Sequence, residues 1–316
     1  MTSDRPVRTR HRIAYAAARA GLAVLAALPE RIAYTGMAAV ARAYLACARG
    51  RRRLGLANLE LAFPEADGVL DRSERLRIVR EGTVSAFLTV LDLVYASRWL
   101  ARGRLLERVD VTEWETRQPK PPFLGVSLHL GSWEVAALTA AFLEHEVHVI
   151  GRLPKNPLIA RFLRARREAF GLIVHDRRGG VRPIARALHA GKVVVQAADQ
   201  NQRLRGVFVP VFGRLASSER AAATLAVRRD LPLFVGCCVR VGKGFRFAMR
   251  MLEPFPAART GVLHDDVVAT VKRVTDGIER LVRERPDQYL WIHDRYRTRP
   301  GTEPEPGPGS QPVSDD

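Results

Sequence analysis

The stretch Phe123-Leu-Gly-Val-Ser-Leu-His129-Leu-Gly131-Ser132-Trp-Glu134-Val-Ala136 predicts the fold around which the chain is built. Its first half is short and apolar, which is typical of a buried strand. Gly131 permits a tight turn, and Ser132 can cap the helix that follows. His129 is therefore expected at the carboxyl end of a sheet strand, where open α/β sheets bind their ligands.

The spacing of His129 and Glu134 allows them to pair only in one arrangement. Residues five apart on one helix point about 140° away from each other. The two can meet if His129 lies in the turn and Glu134 in the first helical turn. The carboxylate could then fix the tautomer of the imidazole, and the imidazole could take a proton from a hydroxyl. A loop histidine beside a favourable charge at a helix N-terminus explains this stretch equally well.

The composition indicates an anionic partner. The chain has 316 residues and a formal net charge of +18, carried mostly by arginine. Nucleic acid, a membrane surface, and a phosphorylated substrate or carrier all fit that sign of charge. Cys47, Cys237 and Cys238 do not have the spacing of a disulfide framework or a metal site, so we expect a reducing compartment and no metal.

Strand and helix patterns alternate from residue 123 onward. This alternation predicts an α/β fold with a mainly parallel central sheet flanked by helices on both faces. The predicted strands are residues 123–128, 146–150, 172–174, 192–198, 233–241 and 245–252, and the predicted helices are 158–170, 181–190, 217–229 and 265–284, with a loop at 207–212. Just past the strand ends lie His129, Arg152, Arg178 and Asp199, which we expect to line one cleft.

The amino-terminal residues predict association with a membrane. Residues 1–12 are polar and basic, and we expect a flexible tail. Two Ala-rich apolar helices follow, over 13–28 and 36–48, and end in the cluster Arg49–Arg53. The first is shorter than the roughly 20 residues that span a bilayer, so we expect 13–53 to lie on or dip into the membrane surface. A short transmembrane anchor and ordinary packed helices are the alternatives.

The remaining residues form two regions. Residues 54–300 are expected to form the catalytic domain, with a long helix over 71–100. Residues 301–316 are rich in proline, glycine and acid, and are expected to be disordered.

Three other functions fit the sequence poorly. Gly125-Val-Ser-Leu-His129 resembles the nucleophile elbow of hydrolases, but His129 replaces the small residue that the strained turn needs. Cys237 and Cys238 lie within an apolar strand, which favours structural thiols over a nucleophile. A nucleic-acid-binding protein is supported by charge alone, because its aromatic residues are not interleaved with arginine.

Six blocks, in chain order, resemble a known family. They are His129-Leu-Gly-Ser-Trp-Glu134, Gly151-Arg-Leu-Pro-Lys-Asn-Pro157, Arg177-Arg-Gly-Gly-Val-Arg-Pro183, Ala198-Asp-Gln200, Val207-Phe-Val-Pro210 and Gln288-Tyr-Leu-Trp-Ile-His-Asp-Arg-Tyr-Arg-Thr-Arg-Pro300. Together they resemble the lipid A biosynthesis acyltransferases, the lauroyl and myristoyl transferases, within the glycerolipid and lysophospholipid acyltransferase superfamily. Phosphatidylinositol mannoside acyltransferases share many of these blocks, so an acyltransferase for phosphatidylinositol mannoside or for another lysophospholipid is the alternative.

The resemblance implies a mechanism and a set of site residues. His129 would deprotonate an acceptor hydroxyl, with Glu134 as its orienting and charge-compensating partner. The hydroxyl would attack the thioester of an acyl carrier protein or coenzyme A directly, without an acyl-enzyme and without a cofactor. The residues implied in substrate binding are Arg152, Asn156, Arg178, Asp199 and Gln200.

The resemblance also implies partners and a location. We expect a lipid acceptor and an anionic membrane as partners, no nucleic acid, and a catalytic domain on the cytoplasmic face of the inner membrane. Two positions depart from the family pattern, because Ser132 stands where asparagine is usual and Gly151 where tyrosine is frequent. These departures bear on the identity of the acceptor more than on the chemistry.

Overall fold

The computed structural model describes residues 6–144, 146–151, 154–176 and 181–301. The α-helices in these residues are α1 (Thr9–Ala27), α2 (Glu30–Cys47), α3 (Arg49–Ala62), α4 (Arg72–Ala101), α5 (Thr112–Arg117), α6 (Trp133–Glu144), α7 (Pro157–Glu168), α8 (Val181–His189), α9 (Ala221–Arg229) and α10 (Leu263–Glu284). The strands are β1 (Val109–Asp110), β2 (Leu124–Ser127), β3 (Val147–Gly151), β4 (Leu172–Asp176), β5 (Val193–Ala197), β6 (Val207–Val211), β7 (Arg214–Ser218), β8 (Leu233–Arg240) and β9 (Phe247–Met251).

A seven-stranded sheet forms the centre of the molecule, in the order β1-β9-β8-β2-β5-β3-β4. The strands from β8 to β4 in this order are all parallel, and β9 is antiparallel to β8. The predicted α/β fold with a mainly parallel sheet is therefore confirmed. Strands β2 and β5 are neighbours in the sheet although β3 and β4 lie between them in the chain, so the turns after β2 and β5 meet at one edge.

Two hydrophobic cores cover the two faces of the sheet. One core joins the sheet to side chains of α2, α4 and α6. The other joins it to α3, α8, α9 and α10. The sheet is therefore buried on both sides, as a parallel sheet requires.

Helix α4 lies in the interior of the protein. Asp71 caps it, accepting hydrogen bonds from the backbone N–H groups of Ser73 and Glu74. Within the described residues, α4 is the helix long and apolar enough to cross a membrane, but 67% of its most apolar window is buried inside the protein. That burial is typical of a core helix, so α4 gives little support for a membrane span.

Helix α2 packs on α4 and is held by a buried ionic network. The Tyr34 hydroxyl donates to Asp92 Oδ1 over 2.7 Å, and Arg240 Nη1 donates to the same oxygen over 2.8 Å. Because Asp92 is fully buried and Arg240 lies on β8, this network ties α2 to both the core helix and the sheet. Removing α2 would take away the Tyr34 hydroxyl, which donates a hydrogen bond to the buried ion pair of Asp92 and Arg240.

Several predicted boundaries differ from those in the structure. Residues 207–212, expected as a loop, include β6, which pairs with β7 in a separate two-stranded ribbon. The helix expected over 217–229 begins only at Ala221, because Ser217 and Ser218 belong to β7. At the amino terminus, α1 already begins at Thr9, within the segment expected to be a flexible tail. The tail expected at 301–316 lies outside the described residues except for Gly301.

Candidate active site

The turn after β2 has the predicted conformation. Gly131 adopts φ = 65°, and a β-carbon there would lie 2.1 Å from the carbonyl oxygen of Cys238. Only glycine fits so close an approach. Ser132 Oγ accepts a hydrogen bond from the backbone N–H of Val135 over 3.4 Å, which confirms its predicted role as the cap of α6.

Sheet register brings His129 to Asp199. Ser127 at the end of β2 pairs with Ala197 at the end of β5. Two residues further along each chain lie His129 and Asp199, which the register therefore places opposite each other. This is the edge where α/β folds bind ligands.

Both carboxylate oxygens of Asp199 accept hydrogen bonds from His129. The backbone N–H of His129 donates to Oδ2 over 2.8 Å, and Nδ1 lies 2.8 Å from Oδ1. Because a carboxylate only accepts, Nδ1 carries a proton and Nε2 is left with a lone pair in the neutral imidazole. In this tautomer Nε2 can accept a proton, which is what a general base at this position would require.

The electrostatics favour an ion pair between these two residues. Burial by itself lowers the pKa of His129, but the charge and hydrogen bond of Asp199, with a further contribution from the charge of Glu134, raise the pKa above its usual value. Burial acts against ionisation of Asp199 as well, yet its contacts with His129 hold the pKa of Asp199 below its usual value. A proton taken up by His129 is therefore well stabilised.

Gln200 and Trp133 complete the surroundings of the imidazole. Gln200 Nε2 lies 3.2 Å from His129 Nε2, so the amide contacts the nitrogen that would act as the base. The ring of Trp133 lies 4.7 Å from the imidazole ring, centroid to centroid. Trp133, which the sequence predicts to be a packing anchor, therefore contacts the site.

Glu134 has a different partner from the predicted one. Its Oε2 accepts a hydrogen bond from Arg167 Nε over 3.1 Å, and its Oε1 contacts Arg167 Nη2. Helix α7 supplies this arginine. The predicted orienting partner of His129 is therefore corrected from Glu134 to Asp199. A role for Glu134 in catalysis, through its charge, stays a prediction.

His129 lines a cavity. Its volume is about 390 Å³, within the usual range for ligand sites. Around His129 it is polar, with Trp133, Glu134 and Gln200 in its wall, whereas its remaining wall is largely apolar and includes Trp114, Leu172, Val195, Phe234, Met249 and Met251. Such an apolar wall is suited to bind an aliphatic chain by hydrophobic contact.

Two buried polar atoms belong to residues that line the same cavity. Ser127 Oγ and Gln196 Oε1 have no hydrogen-bond partner among the described residues. Since burying a polar atom without a partner is unfavourable, both are candidates for a hydrogen bond with a polar group of a bound substrate.

The two cysteines of β8 are buried, as predicted. Cys237 lines the cavity and Cys238 does not. Burial raises the pKa of both thiols, which disfavours the thiolate that a nucleophile needs. The structure therefore gives no support for an acyl-cysteine.

The other residues predicted to bind substrate have varied positions. Arg152 and Arg178 lie outside the described residues. Asn156 caps α7 through its side-chain oxygen, and its Nδ2 donates to the backbone oxygen of His11 on α1 over 2.9 Å. This contact gives Asn156 a structural role, and substrate binding by Asn156 stays a prediction.

Sequence reasoning missed two parts of the site. Arg167 is one of several arginines on α7, and nothing in its spacing distinguishes it. The segment Gln288–Thr298 stands out in the sequence only through its resemblance to the family, and no local pattern predicts its contact with the site. In the structure, its Leu290 N–H donates to the carbonyl oxygen of His129 over 3.1 Å.

Comparison with known proteins gives a consistent result. The family model described as "Bacterial lipid A biosynthesis acyltransferase" matches residues 4–298. The lipid A biosynthesis lauroyltransferase of Escherichia coli K12 is 27% identical over 285 residues, covering 86% of this chain and 88% of the relative. The lipid A biosynthesis myristoyltransferase of the same organism is 25% identical over 307 residues, covering 91% and 88%.

A third relative comes from another organism. The lipid A biosynthesis acyltransferase of Haemophilus influenzae is 27% identical over 149 residues, covering 46% of this chain and 44% of the relative.

Proposed function

The chain belongs to the bacterial lipid A biosynthesis acyltransferase family, and from that membership we propose that it moves a fatty acyl group from a thioester to a hydroxyl of a lipid A precursor. Family membership supports an O-acyltransferase with an acyl donor and a lipid acceptor. The observation that carries the proposal is the Asp199–His129 pair at the polar end of an apolar cavity.

The proposed reaction is a direct transfer. His129 Nε2 takes the proton of the acceptor hydroxyl while the hydroxyl oxygen attacks the carbonyl carbon of the thioester. The C–O bond forms, the C–S bond breaks, and the leaving thiolate takes the proton back from the imidazolium. Asp199 stabilises the imidazolium through its hydrogen bond with Nδ1.

Gln200 and Glu134 have distinct proposed roles. The acceptor hydroxyl displaces the Gln200 amide from His129 Nε2, and the freed N–H can donate to the oxyanion that develops on the carbonyl oxygen. Glu134, paired with Arg167, adds negative charge near the imidazolium without contacting it.

The apolar wall is proposed to hold the acyl chain. Trp114 and Phe234 both line the cavity, and their rings meet edge-on with centroids 5.7 Å apart. In the sheet Phe234 pairs with Gly125, four residues before His129. An acyl tail that entered from His129 would pass along apolar side chains. The acyl carrier protein or coenzyme A would remain outside, at the polar end.

The proposed activity can be tested with the purified full-length chain. Incubated with a lauroyl or myristoyl thioester of acyl carrier protein or coenzyme A and a lipid A precursor, it is expected to give a product heavier by one acyl chain, as measured by mass spectrometry. Comparing the two carriers identifies the donor. Consumption of the thioester with release of only free fatty acid, on every acceptor offered, would contradict the proposed acceptor.

We further propose that α1 and α2 hold the enzyme on the cytoplasmic face of the inner membrane. These helices expose large apolar side chains, among them Val24 at 61% and Val40 at 57%. The following helix, α3, begins with the basic cluster Arg49–Arg53. Exposed apolar and basic side chains together favour an anionic bilayer surface.

Substitution of the exposed valines tests this placement without disturbing the core. The double change Val24→Glu, Val40→Glu is expected to weaken binding to phosphatidylglycerol-containing vesicles about tenfold or more, since burying one valine is worth about 1.5–3 kcal/mol. Co-sedimentation across a salt series gives the measurement. The apolar contribution persists at high salt, whereas the arginine contribution is screened.

A matched control is Val262→Glu, because Val262 precedes α10 and is 54% exposed. It is expected to sediment with vesicles like the wild type. Equal sedimentation of the double variant and the wild type would show that another surface faces the membrane.

A further inference from the structure

The segment Gln288–Thr298 contacts both catalytic turns. On the His129 side, the N–H of Gly131 donates to the carbonyl oxygen of Gln288 over 3.1 Å, and the N–H of Leu290 donates to the carbonyl oxygen of His129, also over 3.1 Å. These contacts fix the backbone on either side of Leu130. The segment thus continues the pairing of the sheet beyond the end of β2.

On the Asp199 side, the same segment contacts Asn201. His293 Nε2 accepts a hydrogen bond from the backbone N–H of Asn201 over 3.1 Å. Thr298 makes two hydrogen bonds with the side chain of Asn201: its Oγ1 accepts from Nδ2 over 3.0 Å, and its N–H donates to Oδ1 over 3.2 Å. Both the backbone and the side chain of Asn201 are therefore hydrogen-bonded to the segment Gln288–Thr298.

The segment itself is firmly attached to the rest of the fold. Asn58 Nδ2 donates to the carbonyl oxygens of Trp291 and His293, over 2.7 and 2.8 Å. Arg295 Nη1 donates to the carbonyl oxygen of Ser217 over 2.7 Å, and the Tyr296 hydroxyl donates to that of Val211 over 2.8 Å. The segment thus gives the two turns a fixed support.

We propose that residues 288–298 act as a strap that sets the distance between His129 and Asp199, with His293 and Thr298 as positioning residues that act through Asn201. The inference rests on the proposed function for its consequence in catalysis. Asn201 is two residues from Asp199 and next to Gln200, so a shift of this turn changes both contacts of the imidazole. A displacement of about 1 Å at a catalytic group can cost up to about 100-fold in rate.

The hydrogen bond of His293 requires a particular protonation state. Nε2 can accept only when it carries no proton, so His293 must be neutral with its proton on Nδ1. Burial lowers the pKa of His293, which favours that form. The charges of Asp199 and Glu134 act on His129 itself. From the strap, the buried Tyr289 hydroxyl and Arg295 act on Asp199, and His293 interacts electrostatically with both Asp199 and His129.

The test uses two variants of one residue in the full chain. Thr298→Val removes the acceptor for Asn201 Nδ2 at nearly constant shape, and Thr298→Ser keeps it. Thr298→Val is expected to lower kcat about 10- to 100-fold with little change in the KM of the thioester, and to shift the acid side of the pH–rate profile to lower pH. The shift follows because a loosened Asp199 raises the pKa of His129 less. Thr298→Ser is expected to restore both properties.

A second pair of variants tests the other contact. His293→Gln keeps a side-chain acceptor for the Asn201 N–H, whereas His293→Leu removes it, so only His293→Leu is expected to lower kcat and shift the profile. If the Thr298→Val and His293→Leu variants lose activity with an unchanged pH profile, the segment merely stabilises the fold and the proposal is wrong. Unchanged kcat in both variants would also overturn it.

A measurement that needs no activity separates the strap from the proposed reaction. Titration of the His129 imidazole by NMR is expected to give a lower pKa in Thr298→Val than in the wild type and in Thr298→Ser. A lowered pKa in a protein that transfers no acyl group would support the strap and contradict the proposed function. An identical pKa in all three proteins would contradict the strap.

Discussion

Replacing His129 with alanine is expected to lower the rate of acyl transfer by about 10²–10⁴-fold, because the substitution removes the proposed base for the hydroxyl proton. The loss should appear in kcat, measured as acyl product formed from a saturating thioester. Since His129 is only partly buried and packs beside the cavity, we expect the variant to fold.

His189→Ala provides the control for this substitution. His189 ends α8 and is exposed, so its removal is expected to leave the transfer rate unchanged. Full activity in a folded His129→Ala variant would be incompatible with general-base catalysis by this residue.

Asp199→Asn is expected to produce a loss of similar size, about 10²–10⁴-fold, although it changes the shape of the side chain very little. Both oxygens of Asp199 accept N–H groups of His129. Asparagine offers one oxygen, so its NH₂ group must face either the backbone N–H or Nδ1. Facing Nδ1, it donates to that nitrogen and leaves the imidazole proton on Nε2, where the base is needed.

The pH–rate profile gives an independent check on Asp199. His129 must be neutral to act as a base, so activity is lost as the pH falls below its pKa. Asp199 helps to raise that pKa, and the residual activity of Asp199→Asn should therefore persist to lower pH than that of the wild type. The control is Asp265→Asn, at an exposed aspartate of α10. An acid limb that stays in place in Asp199→Asn would exclude Asp199 as the charge that sets the pKa of His129.

The conformation of the chain around His129 can be predicted from the residues next to it in the sequence. An apolar run, a glycine and a serine predict strand, tight turn and helix cap, and the structure has all three. Such signals act over a few residues, so one sequence is enough to read them.

The partner of His129 depends on contacts far apart in the chain. Asp199 meets His129 because β5 lies next to β2 in the sheet, and strand order is not encoded in local periodicity. Glu134 is a carboxylate nearer to His129 in the chain, and the spacing between the two residues is compatible with a contact. Arg167 binds that carboxylate instead, from a helix whose placement no local pattern predicts.

The same limit applies to the ribbon of β6 and β7. Residues 207–211 alternate between buried and exposed positions, as an antiparallel strand should. The partner strand, however, carries Arg214 and two serines and reads as a turn followed by a helix start. Pairing across the ribbon outweighs that local preference.

Dependence on the strap has a consequence for how the enzyme is made. Residues 123–201, which contain both His129 and Asp199, leave the ribosome well before Leu290. At 5–20 residues per second, synthesis of the 91 residues from Asp199 to Leu290 takes roughly 5–18 s. During that interval a nascent chain already has its base and its carboxylate but not the segment that holds their turns together. If the strap is required, catalytic competence begins late in translation, and a premature stop codon between Met251 and Thr298 leaves a chain that has every strand of the sheet but lacks the complete strap.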